Sequence, residues 1–257
     1  MPSSSIEQTR AAFEASIPAW RAYTESARGK LRQAMILRHV QRHLTPGGHI
    51  LDVGGGTGEL AAELARAGHR VTLLDSSPAM LAEAKQLCGE LASGISFVCA
   101  DADDIQALFP GEEFDAVLCH SLLEFVSEPQ DVIEQLARLL RRPGVLSVVV
   151  GNRYHTVLRA AVVMRDIPRA CEALDREPVA TDLFGLPLRT FYPDTLRELL
   201  ERSGLEVTGE YGVRVFADLA EGLMERPEEL LALELAASAR LPYRRLARFI
   251  QLIAEKR

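Results

Sequence analysis

No two cysteines in this chain have C-x-x-C spacing. Cys88, Cys99, Cys119 and Cys171 stand apart, and no paired histidines accompany them. That pattern speaks against a zinc centre and a disulfide framework, so no metal is expected, and the thiols read as buried and free in a reducing compartment. A run of about 18 apolar residues, the length a membrane-spanning helix needs, is also missing. The start, Met1-Pro2-Ser3-Ser4-Ser5, lacks the basic-then-apolar pattern of a secretory signal. The expectation is a soluble, cytoplasmic protein that meets no membrane. Positive charge is short as well: the formal net charge is −7, which opposes broad electrostatic binding to nucleic acid but leaves room for a local basic patch. There is no internal repeat and no low-complexity linker. What is present is 257 residues at 47% hydrophobic content, enough for one α/β domain with an elaboration.

The densest signal is Ile50-Leu51-Asp52-Val53-Gly54-Gly55-Gly56-Thr57-Gly58, followed by Glu59-Leu60-Ala61-Ala62-Glu63-Leu64-Ala65. A strand runs into a glycine loop and then a helix. Glycine lets a ligand touch the main chain, and a helix start offers unpaired N–H groups.

Before this loop, residues 1–45 read as a helical arm, with one helix from Ile6 to Ala15. A second, after Pro18, runs through Leu31, Met35, Ile36 and Val40, and the basic stretch Ala27 to Arg32 marks a break. Residues 46–257 read as the main domain. Strands at 50–53, 71–74, 95–99, 116–119 and 145–150 alternate with helices opened by Glu59, Ser77-Pro78 and Pro129, and Gly68 closes the first. This predicts a doubly wound, mostly parallel, Rossmann-like sheet of seven strands. Regularity breaks at about 152–193, which reads as a helical lid insertion. A helix at 194–202, strands at 206–211 and 249–254 and two helices between them complete the pattern.

In such a sheet a ligand sits at the carboxyl ends of the strands. That rim gathers the glycine loop, Asp75, Asp101 to Asp103 and His120. Asp75 lies 21 residues after Gly54, where an acidic side chain can accept from ribose hydroxyls. The loop is G-G-G-T-G rather than G-x-G-x-x-G, it has no phosphate-loop lysine, and Glu59 at the helix start disfavours a pyrophosphate. A nucleoside ligand without phosphate remains, and S-adenosylmethionine is one. His120 and Arg214 have ordinary alternatives: a strand-end histidine also packs, and an arginine in an alternating strand also faces solvent.

Leu51 to Gly58, Asp75, Asp101-Ala102, Phe114 to His120 and Arg142-Pro143-Gly144 together resemble the motif series of class I S-adenosylmethionine-dependent methyltransferases. Gly29 to Ala34, His120 to Val126, Gly144 to Ser147 and Gly212 to Phe216 are similar to the bacterial tRNA 5-carboxymethoxyuridine methyltransferases, which esterify a modified wobble uridine. The resemblance implies S-adenosylmethionine as cofactor, with Arg32, Gly54, Gly55, Asp75, Ala102 and His120 in contact with it. Asp52, Gly56, Gly58, Ser76, Met80, Asp101 and Asp103 complete the expected cofactor shell. His120 and Arg214 are the candidate catalytic groups. Arg214, Arg153, Arg189 and Tyr192 are the candidates for holding the acceptor carboxylate, which needs a cation and no general base. The stretch Pro178 to Pro187 departs from the resembling enzymes, which carry lysines there. A small-molecule acid or phenol therefore stands beside tRNA as acceptor, and a non-catalytic nucleoside-binding protein is a third possibility. The oligomeric state is not legible.

Overall fold

The computed structural model describes residues 3–102, 105–175, 180–181, 183–220 and 222–257. Asp103, Asp104 and positions 176–179 and 182 of the expected lid lie outside the described residues. The N-terminal arm forms three helices, α1 (Ser3–Ala15), α2 (Ile17–Glu25) and α3 (Ala27–Val40). The break predicted within the basic stretch 27–32 falls instead at Ser26, whose hydroxyl accepts from the Gly29 N–H at 3.1 Å and caps α3. The cations there belong to a helix rather than to a solvated turn. Gly29 allows the tight join, because a Cβ at that position would stand 2.1 Å from the Tyr23 carbonyl oxygen.

Five parallel strands follow: β1 (His49–Val53), β2 (Arg70–Asp75), β3 (Ile95–Cys99), β4 (Phe114–His120) and β5 (Leu140–Gly151). Helices α4 (Glu59–Arg66), α5 (Pro78–Cys88), α6 (Ile105–Leu108) and α7 (Pro129–Leu139) lie in the connections. After β5 come α8 (Arg153–Leu158), a π-helical turn (Arg159–Val163), α9 (Ile167–Asp175) and the two-residue strands β6 (Ala180–Thr181) and β7 (Pro187–Leu188). The chain continues through α10 (Pro193–Arg202), β8 (Glu206–Val213), α11 (Pro227–Ala237), α12 (Tyr243–Leu246) and β9 (Phe249–Lys256).

The sheet order is β3-β2-β1-β4-β5-β9-β8. β9 runs antiparallel to both neighbours, with Val148 opposite Leu252 and Gly212 opposite Ile250. The fold is thus the expected seven-stranded, mostly parallel Rossmann-like sheet. Phe114, Ile133, Leu136, Leu196 and Leu200 pack on one face, while Val40, Ala61, Leu64, Leu81 and Ala84 pack on the other. Each fully buried Leu, Ile or Phe contributes about 1.5–3 kcal/mol relative to exposure. Strand order reverses between β1 and β4, which opens a crevice at their carboxyl ends.

Cys88 and Cys119 are buried as expected, but Cys99 and Cys171 are exposed. Among the described residues no helix is long and apolar enough to cross a membrane, and no group of His, Cys, Asp or Glu is arranged to hold a metal ion.

Candidate active site

Each strand of the crevice delivers one part of the floor. After β1 the loop turns back on β2, where the Gly54 and Gly55 N–H groups both donate to the Leu74 carbonyl, at 2.8 and 3.2 Å. Gly56 adopts φ +54, and a Cβ there would meet nothing within 4 Å. Bare main chain therefore edges the cavity. At Gly58 a Cβ would stand 2.9 Å from that of Ala84, so this glycine sets how closely α4 approaches α5. Asp75 ends β2 with its Oδ2 accepting from Gly56 N–H and its Oδ1 from Ser77 N–H, both at 2.9 Å. Burial pushes its carboxyl pKa up, the two amides oppose that, and Asp101 adds to the rise.

One cavity of about 540 Å³ runs along this floor. Gly54, Gly56, Asp75, Ser76 and Met80 line it, as do Asp101, Ala102, Arg32 and His120. Asp52, Gly55 and Gly58 stand behind the wall. Asp52 is buried, and burial first, then Asp75 and Glu59, raises its carboxyl pKa to about 7. A Cβ on Gly55 would lie 2.7 Å from Leu73 Cγ. These three residues shape the loop rather than face the cavity. Asp103 lies outside the described residues.

His120 ends β4, and its Nε2 is 2.8 Å from Ser147 Oγ on β5. Burial, and secondarily Arg32, lowers its pKa to about 3. The Arg32 guanidinium donates to Ser121 Oγ at 2.8 Å and lies over the Phe249 ring at 4.8 Å.

The four acceptor-side candidates are not gathered here. Arg214 is 1% exposed; its guanidinium pairs with Asp218 through two hydrogen bonds and donates to the Tyr23 hydroxyl at 2.8 Å. It neither faces solvent nor lines the cavity. The cause is local: Arg214, with φ +64, directly follows β8, and the chain bends there, one of the two courses the sequence pattern allows. Arg153 is buried at the start of α8, off the wall. Arg189 donates to the Val126 and Ser127 carbonyls at 3.3 Å, pinning its own segment to the loop after β4. Tyr192 packs edge-on against Tyr154, with ring centroids 5.0 Å apart, also off the wall.

Other cations line the cavity: Arg10, Arg159, Arg169 and Arg248. Arg248 is 3.5 Å from Asp218, and burial draws its pKa down. Arg159 donates to Met164 Sδ at 3.2 Å, and neither it nor Arg169 has a carboxylate within ion-pair distance among the described residues. Aromatic rings form a roof. Phe13 stands edge-on to Phe125 at 5.1 Å and to Phe184 at 4.7 Å, and Trp20 lies 5.5 Å from Phe184. The Trp20 indole donates to Thr57 Oγ1 at 2.8 Å, and that hydroxyl donates to Glu59 at 2.7 Å. The arm is therefore tied to the glycine loop. The sole tryptophan of the chain was the available signal for it.

The glycine loop with its bare main chain, the amide-anchored carboxylate at the second strand end and the adjoining Asp101-Ala102 fit a nucleoside bearing no phosphate. The methyltransferase domain family matches residues 51–148. The chain belongs to the class I S-adenosylmethionine-dependent methyltransferases, so S-adenosylmethionine is its methyl donor. Among relatives, it is 33% identical over 248 residues to the tRNA 5-carboxymethoxyuridine methyltransferase of Escherichia coli (strain K12), covering 90% of each chain. Similarity to the ubiquinone biosynthesis O-methyltransferase of Xanthomonas campestris pv. campestris is 36% over 118 residues, 46% of this chain and 49% of that one. A solved S-adenosylmethionine-dependent methyltransferase of Thermotoga maritima, described as a possible histamine N-methyltransferase, superposes with a TM-score of 0.66 at 18% identity. It covers 97% of this chain and 100% of its own, and it speaks to the fold alone.

Proposed function

We propose that this enzyme esterifies a carboxylate, that of 5-carboxymethoxyuridine at the wobble position of tRNA in the cytoplasm. The observation that carries the chemistry is the pair Arg159 and Arg169 on the cavity wall, without carboxylate partners among the described residues. An anionic acceptor supplies the charge they lack, and charge-assisted hydrogen bonds to guanidinium fix a carboxylate in orientation. S-adenosylmethionine supplies an electrophilic methyl group, whose bonding pair stays with sulfur as an acceptor oxygen lone pair forms the new bond. The protein's share is positioning and electrostatics.

The cavity histidines favour an acceptor that is already ionised. Burial lowers the pKa of both His120 and His155, which makes them weak bases. An amine or phenol needs a proton removed; a carboxylate does not. On the cofactor side, Asp75 holds the ribose with the lone pairs its two amides leave, Arg32 pairs with the methionyl carboxylate, and Asp101-Ala102 edge the adenine. Residues 152–193, with the N-terminal arm, act as the lid. The tRNA assignment draws its support from the relative in Escherichia coli, which aligns along nearly the whole chain. A small organic acid is the second reading, favoured by the aromatic roof of Phe13, Trp20, Phe125 and Phe184, which narrows access to the cavity.

The test is transfer of label from methyl-labelled S-adenosylmethionine to tRNA isolated from cells unable to form the ester, run beside a panel of small carboxylic acids. Label that enters a wobble nucleoside and leaves as methanol in mild alkali is the expected result. Label confined to the small acids, or retained in alkali, overturns the tRNA ester.

A further inference from the structure

Behind His120 a file of buried polar side chains crosses the sheet. Ser147 on β5 and Gln251 on β9 are 0% exposed, as is His39 on α3. Gln251 Nε2 is 3.2 Å from Ser147 Oγ and 3.4 Å from the Ile36 carbonyl oxygen. Gln251 Oε1 is 2.8 Å from His39 Nδ1, and His39 Nε2 is 3.1 Å from Ser238 Oγ.

The proton directions follow from which groups only accept. A backbone carbonyl has no proton to give, so the NH₂ of Gln251 faces Ile36 and its other hydrogen goes to Ser147 Oγ. The oxygen of Gln251 then faces His39, and Nδ1 of His39 donates to it, which leaves His39 Nε2 to share the Ser238 hydroxyl proton with the Leu235 carbonyl, 2.9 Å from that hydroxyl. Ser147 oxygen already receives a proton from Gln251. Among the described residues its own hydroxyl proton has one acceptor, His120 Nε2, at 2.8 Å. The opposite arrangement would bury that hydroxyl proton with no acceptor, which interiors avoid. His120 Nε2 therefore carries the lone pair and Nδ1 carries the hydrogen. Nδ1 is the ring nitrogen without a partner among the described residues, on a side chain that lines the cavity.

We propose that Ser147 and Gln251 are positioning residues that hold His120 as the Nδ1–H tautomer, making it a hydrogen-bond donor to an oxygen of the bound ligand and not a general base. The proton direction stands on the buried file; its use in transfer rests on the ester-forming reading above. A donor suits a site where the acceptor arrives anionic, because it orients an oxygen lone pair without competing for a proton.

Nitrogen-15 NMR of histidine-labelled, ligand-free protein reads the tautomer directly, with six histidines to assign and His120→Gln identifying the signal. The unaltered protein is expected to show His120 protonated at Nδ1. Ser147→Ala, which removes the one partner of Nε2 among the described residues, is expected to give a mixture of tautomers. Gln251→Glu cannot donate, so Ser147 turns its proton to the carboxylate and His120 is expected to switch to Nε2–H. Its kcat for methyl transfer to tRNA falls about tenfold, the worth of one hydrogen bond, while the KM for S-adenosylmethionine stays within about twofold. Thermal melting shows whether each variant folds, and Ser147→Ala carries the test if Gln251→Glu does not. Nε2–H in the unaltered protein, or a folded Ser147→Ala with an unchanged His120 signal, overturns the proposal. The NMR readout needs no acceptor, so failure here and failure of the tRNA reading are separately visible.

Discussion

Main chain holds the floor of the cavity: Gly54 and Gly55 on the Leu74 carbonyl, and Asp75 between the amides of Gly56 and Ser77. Its roof is held by side chains. Phe13 meets Phe125 and Phe184 edge to face, Trp20 lies tilted against Phe184, and the arm adds the Trp20 to Thr57 bond, a Ser77 to Glu14 bond and an exposed Arg21–Glu83 pair at 3.3 Å. An exposed ion pair of that kind contributes about 0–1 kcal/mol. The floor is thus part of the sheet's own hydrogen bonding, whereas the roof can part at modest cost to admit a ligand. One end of the cavity is built to be constant and the other to be adapted.

The largest effect is expected where neither description applies. Arg214→Ala leaves Asp218 without its principal partner behind the wall, and breaking a buried pair costs about 3–5 kcal/mol. A large fall in melting temperature, with cofactor affinity retained in the protein that stays folded, is the expected outcome; a stable variant with abolished transfer would return Arg214 to the substrate. Asp75→Ala tests the floor. It removes the acceptor for two amides and, on the proposed reading, for the ribose, and the Kd for S-adenosylmethionine, measured by calorimetry, is expected to rise about 100-fold, near 2.7 kcal/mol. For the acceptor side, Arg159→Ala is expected to lower kcat/KM for the acceptor about 30-fold, near 2 kcal/mol, with the cofactor Kd unchanged. Equal loss of both would erase the division between the two ends. Smallest is Trp20→Phe, which keeps the ring but drops the bond to Thr57. Dissociation of S-adenosylmethionine, followed by stopped-flow fluorescence quenching of the remaining tyrosines, is expected to speed up about fivefold, and no change would show that the arm is not a latch.

The same division explains what could be read from residues alone. Floor positions were legible because main-chain demands leave local marks: glycine where a Cβ would collide, an acidic residue at a strand end, proline at helix starts. Roof positions were not, since Phe13 and Phe184 are distant in sequence and meet only after the arm docks. Arg214 shows a second kind of limit. Its alternation within Val213-Arg214-Val215 reads as strand, yet its positive φ turns the guanidinium inward onto Asp218. The spacing of four between these opposite charges was the one available hint. Arg159 and Arg169 lay in a segment whose amphipathic pattern was visible, but the π-helical turn at 159–163 breaks the helical register, so periodicity could not say which cations face the cavity.

The place of β9 between β5 and β8 has a consequence for the order in which the protein is made. β8 leaves the ribosome before β9, its one strand partner among the described residues, and it cannot join the sheet until β9 has been synthesised and has inserted. The same late strand carries Gln251, and Phe249 beneath Arg32. A nascent chain can therefore possess the glycine loop and Asp75 while the ring of His120 has nothing to orient it through Ser147. The strand that closes the sheet between β5 and β8 is thus also the one that carries the contact behind His120.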